Sequence, residues 1–220
     1  MNPFFLQCIT TDGIELSHAE QVTQLCEAGA KWIQLRMKIA APHLVERTAR
    51  KILPVCRDHD VLLIINDQFQ VALETRAGGV HLGKTDIPWA EARSMAGPEM
   101  VIGGTVNSLA DARDALASRS LDYVGVGPFR QTKTKENLAP VLERPKLEEI
   151  LHFLYDLPKV VIGGVTPADL PGIADLGADG VAVSSGLVNG HILAANLKAY
   201  LNAWPVESSG PTSRSPISES

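Results

Sequence analysis

The feature that most constrains the fold is a regular alternation of short apolar runs with amphipathic stretches. Runs such as Val61–Ile65 and Tyr123–Val126 are continuous and apolar, which is typical of parallel strands covered by helices. The stretch Pro42–Arg57 places apolar residues near helical spacing. Eight such βα units within just over 200 residues favour an α/β fold, a single (β/α)8 TIM barrel. An open doubly wound sheet is the alternative.

The pattern also predicts where the elements lie. The predicted strands are Phe4–Ile9, Lys31–Leu35, Val61–Ile65, Gly79–Leu82, Met100–Gly103, Asp122–Val126, Lys159–Ile162 and Gly180–Val183. The predicted helices are Ser17–Glu27, Pro42–Arg57, Phe69–Thr75, Pro88–Met95, Ser108–Ala117, Lys146–Tyr155, Pro167–Leu176 and His191–Ala203. Ser17 and Glu20 have the spacing of a capping box at the start of the first helix.

These elements place the barrel domain within residues 1–204. The remaining segment, Pro205–Ser220, contains six Ser and three Pro among 16 residues. Such a composition cannot supply a packed core, so we expect a disordered tail.

Composition limits the classes of partner. The formal net charge is −5, with 20 basic and 25 acidic residues, so we expect no nucleic-acid partner. No apolar run reaches the roughly 18 residues of a membrane span, and Met1–Leu6 lacks the features of a secretion signal. Cys8, Cys26 and Cys56 lie in apolar stretches, which predicts buried free thiols and a cytoplasmic protein. A homo-oligomer is compatible with the sequence.

Polar residues follow the second predicted strand, which ends Gln34-Leu35-Arg36-Met37-Lys38. Because side chains alternate along a strand, Gln34, Arg36 and Lys38 should share one direction. Functional residues of a barrel lie at the carboxyl ends of its strands, and a guanidinium there suits a phosphate group. The alternative for Arg36 is an ion pair with a carboxylate inside the barrel.

Carboxylates end the next two strands. Asn66 and Asp67 follow the third strand, and Asp86 follows the fourth. Since these strands are neighbours in a barrel, the two aspartates can face each other and hold Mg²⁺ together with substrate phosphates. Each aspartate taken alone is better explained as a turn or helix-cap residue, above all Asp86, which precedes Ile87-Pro88 at a helix start. His81 is interpreted as a buried structural histidine.

The later loops suggest a second phosphate. Thr132, Thr134 and Lys135 lie in one loop after the sixth strand, and hydroxyls, loop N–H groups and a cation together suit phosphate oxygens. A solvated basic loop is the alternative. Gly164 and Ser184 follow strands seven and eight, where such barrels commonly bind phosphate. Thr105 follows the predicted fifth strand and could bind a ligand.

From about Leu6 to Val188 the chain resembles the thiamine-phosphate synthase family. The markers of this resemblance are Gln34–Lys38, Asn66-Asp67, Gly79–Gly83 with Asp86, Gly127-Pro128 with Thr132–Lys135, and Ile162–Val165. The resemblance implies a transferase that joins an aminopyrimidine pyrophosphate to a thiazole phosphate, with Mg²⁺ as cofactor. It also implies a dissociative mechanism, in which pyrophosphate leaves before the thiazole nitrogen attacks.

Site residues follow from the same resemblance. Those implied to bind the pyrimidine pyrophosphate are Gln34, Leu35, Arg36, Met37, Lys38, Asn66, Thr105 and Lys135. Those implied to bind the thiazole phosphate are Thr132, Lys133, Thr134, Gly164, Val183 and Ser184. Asp67 and Asp86 would hold Mg²⁺, and Arg36, Lys38 and Lys135 would act in catalysis by stabilising the departing pyrophosphate.

Two departures from the family pattern and two other functions stay open. Lys84 stands where the family commonly has Gln, and Arg130 falls in place of an apolar residue; whether either contacts substrate is not decided by the sequence. The alternatives to the synthase are an isomerase similar to the related thiazole tautomerases and a noncatalytic sensor of a phosphorylated ligand.

Overall fold

The computed structural model describes residues 4–130 and 140–205. Eight parallel strands, each followed by helix, form one closed sheet in the order β1 to β8. The strands are β1 (Leu6–Ile9), β2 (Trp32–Leu35), β3 (Leu62–Asn66), β4 (Gly79–Leu82), β5 (Val101–Val106), β6 (Tyr123–Val126), β7 (Lys159–Ile162) and β8 (Gly180–Val183). Because β1 pairs with β8 as well as with β2, the predicted (β/α)8 barrel is confirmed and the open sheet is excluded.

The helices cover the outside of the barrel. They are α1 (His18–Glu27), α2 (Pro42–Asp58), α3 (Phe69–Thr75), α4 (Trp89–Ala96), α5 (Leu109–Ser118), α6 (Arg144–Phe153), α7 (Leu170–Asp175), α8 (Ser185–Val188) and α9 (Leu193–Ala203). The predicted capping box of α1 is present, since the Ser17 hydroxyl accepts from the Glu20 N–H while the Glu20 carboxylate accepts from the Ser17 N–H. Within the described residues, no helix is long and apolar enough to cross a membrane.

Apolar side chains form two layers. The larger layer lies between the outer face of the barrel and the helices and includes all three cysteines, which are free thiols. The smaller layer fills the lower barrel interior and consists of Ile9, Trp32, Ile64, Val101, Tyr123, Val160 and Ala182. With the floor filled in this way, the open end of the barrel is the end where the strands finish.

Three element predictions need correction. Strand β5 continues to Val106 and not only to Gly103, so Thr105 lies inside a strand. Helix α8 was not predicted, and it shortens the connection from β8 to α9. The predicted helix Pro167–Leu176 begins with a 3₁₀ turn over Pro167–Asp169. The Thr132–Lys135 loop and the segment after Pro205 lie outside the described residues.

Candidate active site

A cavity of about 570 Å³ opens at the carboxyl ends of the strands. Its lining draws on loops from all around the barrel, as expected for this fold. The sequence-predicted site residues that line it are Gln34, Arg36, Asn66, Asp67, Asp86, Thr105, Gly164, Val183 and Ser184. Residues separated by up to 150 positions in sequence therefore meet in one pocket.

The side chains at the end of β2 lie on two faces of the barrel wall, one toward the cavity and one toward the helices. Gln34 and Arg36 line the cavity, whereas Leu35 is buried in the outer core and Met37 packs against that core. This is the separation that strand alternation predicts. Lys38 does not line the cavity, and its backbone N–H donates to Asp12 Oδ2 at 3.0 Å. The structure therefore leaves Leu35, Met37 and Lys38 away from the pocket wall.

Asp67 and Asp86 form an acidic pair at one side of the cavity. Asp67 has a φ of 63°, a left-handed conformation that turns the chain sharply after β3. Desolvation by the surrounding protein, together with the charge and hydrogen bond of Asp86, raises the pKa of Asp67 to about 6. Asp86 also has a turn role, because its Oδ2 accepts from the Gly83 N–H at 2.6 Å.

This pair has the chemistry of a partial magnesium site. Two adjacent carboxylates repel each other, and a divalent cation between them would remove that repulsion. Among the described residues, no group of three or more His, Cys, Asp or Glu side chains could hold a metal ion. Mg²⁺ commonly takes only one or two protein carboxylates and completes its shell with water and substrate phosphates, so the two aspartates fit such an ion.

Small residues form the opposite side of the cavity. Gly163 and Gly164 follow β7 with φ values of 106° and 65°, a conformation that glycine adopts without strain. Ser184 follows β8, and its hydroxyl lies 2.7 Å from the hydroxyl of Thr11. These loops leave backbone N–H groups and a hydroxyl beside open space, which suits an anionic group.

Two cations beside the cavity are paired with carboxylates. Lys84 Nζ lies 2.6 Å from Asp111 Oδ2. Arg130 donates to both carboxylate oxygens of Asp169, at 2.5 and 2.6 Å, and also to the carbonyl oxygen of Gly164 at 3.1 Å. Arg130 thus connects the loop after β6 to the loop after β7.

Several cavity residues were missed by the sequence analysis. His81, interpreted there as buried and structural, is only half-buried and lines the cavity with Gln7. Below them, Tyr123 fills the barrel interior. The available signal was a polar side chain within an otherwise apolar strand, at Gln7 in β1 and at His81 in β4.

Comparison with known proteins agrees with this geometry. Residues 6–187 match the family described as thiamine monophosphate synthase. The chain belongs to the thiamine monophosphate synthase family. The resemblance stated from the sequence is thereby confirmed, and the match covers every strand of the barrel.

Individual members of the thiamine monophosphate synthase family are similar over most of their length. A thiamine-phosphate synthase of Bacteroides fragilis is 39% identical over 201 residues, which cover 90% of this chain and 98% of that protein. One of Bacteroides thetaiotaomicron is 38% identical over 201 residues, covering 90% and 96%. A solved structure of thiamine phosphate pyrophosphorylase from Pyrococcus furiosus superposes with a TM-score of 0.81 at 28% identity, covering 92% of this chain and 96% of that one.

Proposed function

We propose that this enzyme joins 4-amino-2-methyl-5-hydroxymethylpyrimidine pyrophosphate to 4-methyl-5-(2-hydroxyethyl)thiazole phosphate, giving thiamine phosphate and pyrophosphate. The observation that carries the proposal is the division of the cavity into two anion-binding sides. Arg36 and the Asp67–Asp86 pair line one side, and the loops after β7 and β8 line the other. Membership of the thiamine monophosphate synthase family supports the same reaction.

The side with Arg36 would receive the pyrimidine pyrophosphate. Asp67 and Asp86 would hold Mg²⁺, which neutralises negative charge on a pyrophosphate leaving group. The guanidinium of Arg36 and the amide of Asn66, both on the cavity wall, would donate to the remaining phosphate oxygens. Gln34 and Thr105 lie deeper in the barrel and would contact the pyrimidine ring.

The side with the glycine loop would receive the thiazole phosphate. Gly164, Val183 and Ser184 contribute backbone groups and a hydroxyl to this wall. Thr132, Lys133 and Thr134, which lie outside the described residues, follow the same barrel strand as Arg130, and we assign them to this phosphate. Both substrates would then meet above the barrel floor with their reacting atoms close together.

The chemical step we propose is dissociative. The carbon–oxygen bond to pyrophosphate breaks first, the bonding electron pair leaves with pyrophosphate, and the thiazole nitrogen then donates its lone pair to the pyrimidinylmethyl cation. No enzyme nucleophile is needed in this scheme. Arg36 and Lys135 would stabilise charge on the departing group, and the two bound substrates would limit access of water to the cation.

We also propose a cytoplasmic setting and a single catalytic domain over residues 1–204. The setting rests on Cys8, Cys26 and Cys56, which are all buried free thiols and persist most readily in a reducing compartment. The domain limit rests on α9, the last described helix, which ends at Ala203.

The test is direct synthesis. Purified protein is mixed with both substrates and Mg²⁺, and thiamine phosphate is measured by chromatography; product should form only with both substrates present and should disappear with excess EDTA. Asp122→Asn is a suitable control for preparation quality, because Asp122 lies at the opposite end of the barrel. Folded protein that yields no thiamine phosphate would overturn the proposal, and rearrangement of a thiazole phosphate without joining would indicate the isomerase instead.

A further inference from the structure

A continuous chain of hydrogen bonds crosses the barrel beneath the cavity. Gln34 Nε2 donates to Gln7 Oε1 at 3.1 Å, and Gln7 Nε2 donates to the Tyr123 hydroxyl at 2.9 Å. The same hydroxyl lies 3.0 Å from His81 Nδ1, and His81 Nε2 lies 3.0 Å from Thr105 Oγ1. The chain thus joins the two residues proposed to contact the pyrimidine, which stand on β2 and β5.

Tyr123, at the middle of this chain, is held in one position. Its side chain is fully buried, and its ring packs edge-on against Trp32 with 4.7 Å between ring centroids. A Cβ at position 103 would lie 2.2 Å from the Tyr123 ring, so Gly103 is required to leave room for the phenol. The contact with Trp32 and the small size of Gly103 therefore both hold the Tyr123 ring in place. This close packing indicates that the position of the Tyr123 hydroxyl is set by the structure around it.

One order of donors and acceptors satisfies every contact along the chain. Burial raises the pKa of Tyr123, so the phenol keeps its proton. In this order the phenol oxygen accepts from Gln7 and its own proton is donated to His81 Nδ1. The His81 imidazole then carries a proton on Nε2 and donates it to Thr105.

This order fixes what the two ends offer to the cavity. The Nε2 of Gln34 donates to Gln7 at the barrel floor, and the Oε1 of Gln34 makes no hydrogen bond to the described residues. Gln34 therefore presents a hydrogen-bond acceptor to the cavity. Thr105 receives a hydrogen bond from His81, so its own hydroxyl proton is available as a donor. The barrel floor therefore presents an acceptor at β2 and a donor at β5.

We infer that Tyr123 is a positioning residue that determines specificity for an aminopyrimidine over the corresponding oxopyrimidine. An exocyclic amine donates to Gln34 Oε1, and a ring nitrogen accepts from Thr105. In the oxo analogue a carbonyl replaces the amine, so two acceptors would face each other at Gln34. This inference rests on the proposed function and adds the source of its discrimination between pyrimidines.

The test compares the 4-amino substrate with its 4-oxo analogue, both as pyrophosphates, in steady-state synthesis. The wild type should prefer the amino substrate by at least about 100-fold in kcat/KM, since a site with fixed polar groups rejects a mismatched analogue strongly. Tyr123→Phe removes the hydroxyl but keeps the ring. It should raise the KM for the pyrimidine pyrophosphate roughly tenfold and reduce the preference to about tenfold or less.

Two further variants separate positioning from general loss of stability. Gln7→Met removes the donor to the phenol with little change in volume and should weaken the preference in the same direction. Tyr200→Phe is the matched control, because the Tyr200 hydroxyl is also buried and donates to Val165 O at 2.8 Å. This hydrogen bond is not part of the chain that crosses the barrel. The Tyr200→Phe variant should leave the pyrimidine KM within about twofold of the wild type, since it removes no group from this chain.

The outcomes distinguish the two proposals. If the wild type makes no thiamine phosphate, the proposed function fails and this inference falls with it. If the wild type is active but Tyr123→Phe and Gln7→Met keep both the pyrimidine KM and the preference within about twofold, only the role of Tyr123 is overturned. If Tyr200→Phe changes the preference as much as Tyr123→Phe does, the effect is general and the role of Tyr123 is likewise overturned.

Discussion

Replacement of Asp169 by Asn tests how much the ion pair between Arg130 and Asp169, which joins two cavity loops, contributes to the stability of the folded protein. Asp169 accepts from both guanidinium nitrogens of Arg130 and from the N–H and hydroxyl of Thr166. Chiefly through the Arg130 hydrogen bond, these contacts lower the pKa of Asp169 from 3.8 to about 2. Asp169→Asn keeps the size of the side chain and removes its charge.

The expected loss follows from that pKa. At 1.36 kcal/mol for each pH unit, the depression corresponds to about 2.4 kcal/mol. The Arg130 side chain is 48% exposed, and solvent screening weakens such a pair, so we expect about 1 kcal/mol at neutral pH. For a chain of this length the variant should melt about 2–4 °C below the wild type.

The pH dependence has a definite sign. A carboxyl whose pKa is lowered by folding stabilises the protein above its ordinary pKa of 3.8 and loses that contribution as the pH falls toward about 2. Thermal melts of wild type and Asp169→Asn should therefore differ fully at pH 6, differ by about half as much near pH 3 and converge near pH 2. A difference that is absent at pH 6, or that persists undiminished at pH 2.5, would refute the reasoning.

A kinetic measurement adds the functional consequence. Arg130 also donates to Gly164 O, so release of its guanidinium should loosen the glycine loop and raise the KM for the thiazole phosphate by roughly threefold. Asp122→Asn is the matched control, because Asp122 pairs with Arg93 at 2.5 Å but lies before β6. It should lower the melting temperature without changing that KM. An equal change of KM in both variants would contradict the proposed link.

Three other predictions concern the metal pair, the loop lysine and the tail. Asp67→Asn should lower turnover by at least about 100-fold, because it removes one of the two carboxylates proposed to hold Mg²⁺. The same variant should have a higher melting temperature than the wild type when both are measured without Mg²⁺, because a desolvated carboxylate facing Asp86 is removed; a less stable, fully active variant would contradict both parts. Lys135→Ala should lower turnover by roughly 100-fold with an unchanged circular dichroism spectrum, and near-normal turnover would remove Lys135 from the mechanism. Deletion of Pro205–Ser220 should leave the melting temperature within about 1 °C, since Trp204, which stacks on Phe5 at 5.2 Å, is retained; a large loss would show that the tail packs on the barrel.

Much of the fold was predictable because its signals are local. The bounds of β4, β7, β8 and α3 agree with the apolar runs and helical spacing in the sequence. The capping box of α1 depends on residues three positions apart, Ser17 and Glu20, and such contacts form whenever the chain turns into a helix. Strand alternation likewise separated the cavity-facing side chains of Gln34 and Arg36 from Leu35.

One local signal was misleading for a tertiary reason. The fifth strand was predicted to end at Gly103, but β5 continues through Gly104 to Val106, and both glycines pair with β4 and β6. Glycine stands there because a Cβ at 103 would overlap Tyr123 and one at 104 would lie 2.7 Å from Leu121. The glycines provide space for Tyr123 of β6 and for Leu121 in the connection before it, which no local pattern reveals.

By itself, the sequence determined the eightfold βα alternation, the polar residues at the strand ends and the family. Tertiary structure alone decided which of those residues share a surface. The bond from Gln7 to Tyr123 joins positions 116 apart, and the pair of Arg130 and Asp169 joins positions 39 apart. The first contact depends on closure of the barrel through the pairing of β1 with β8, which brings β1 and β6 to face the same interior, whereas the second needs only the pairing of β6 with β7.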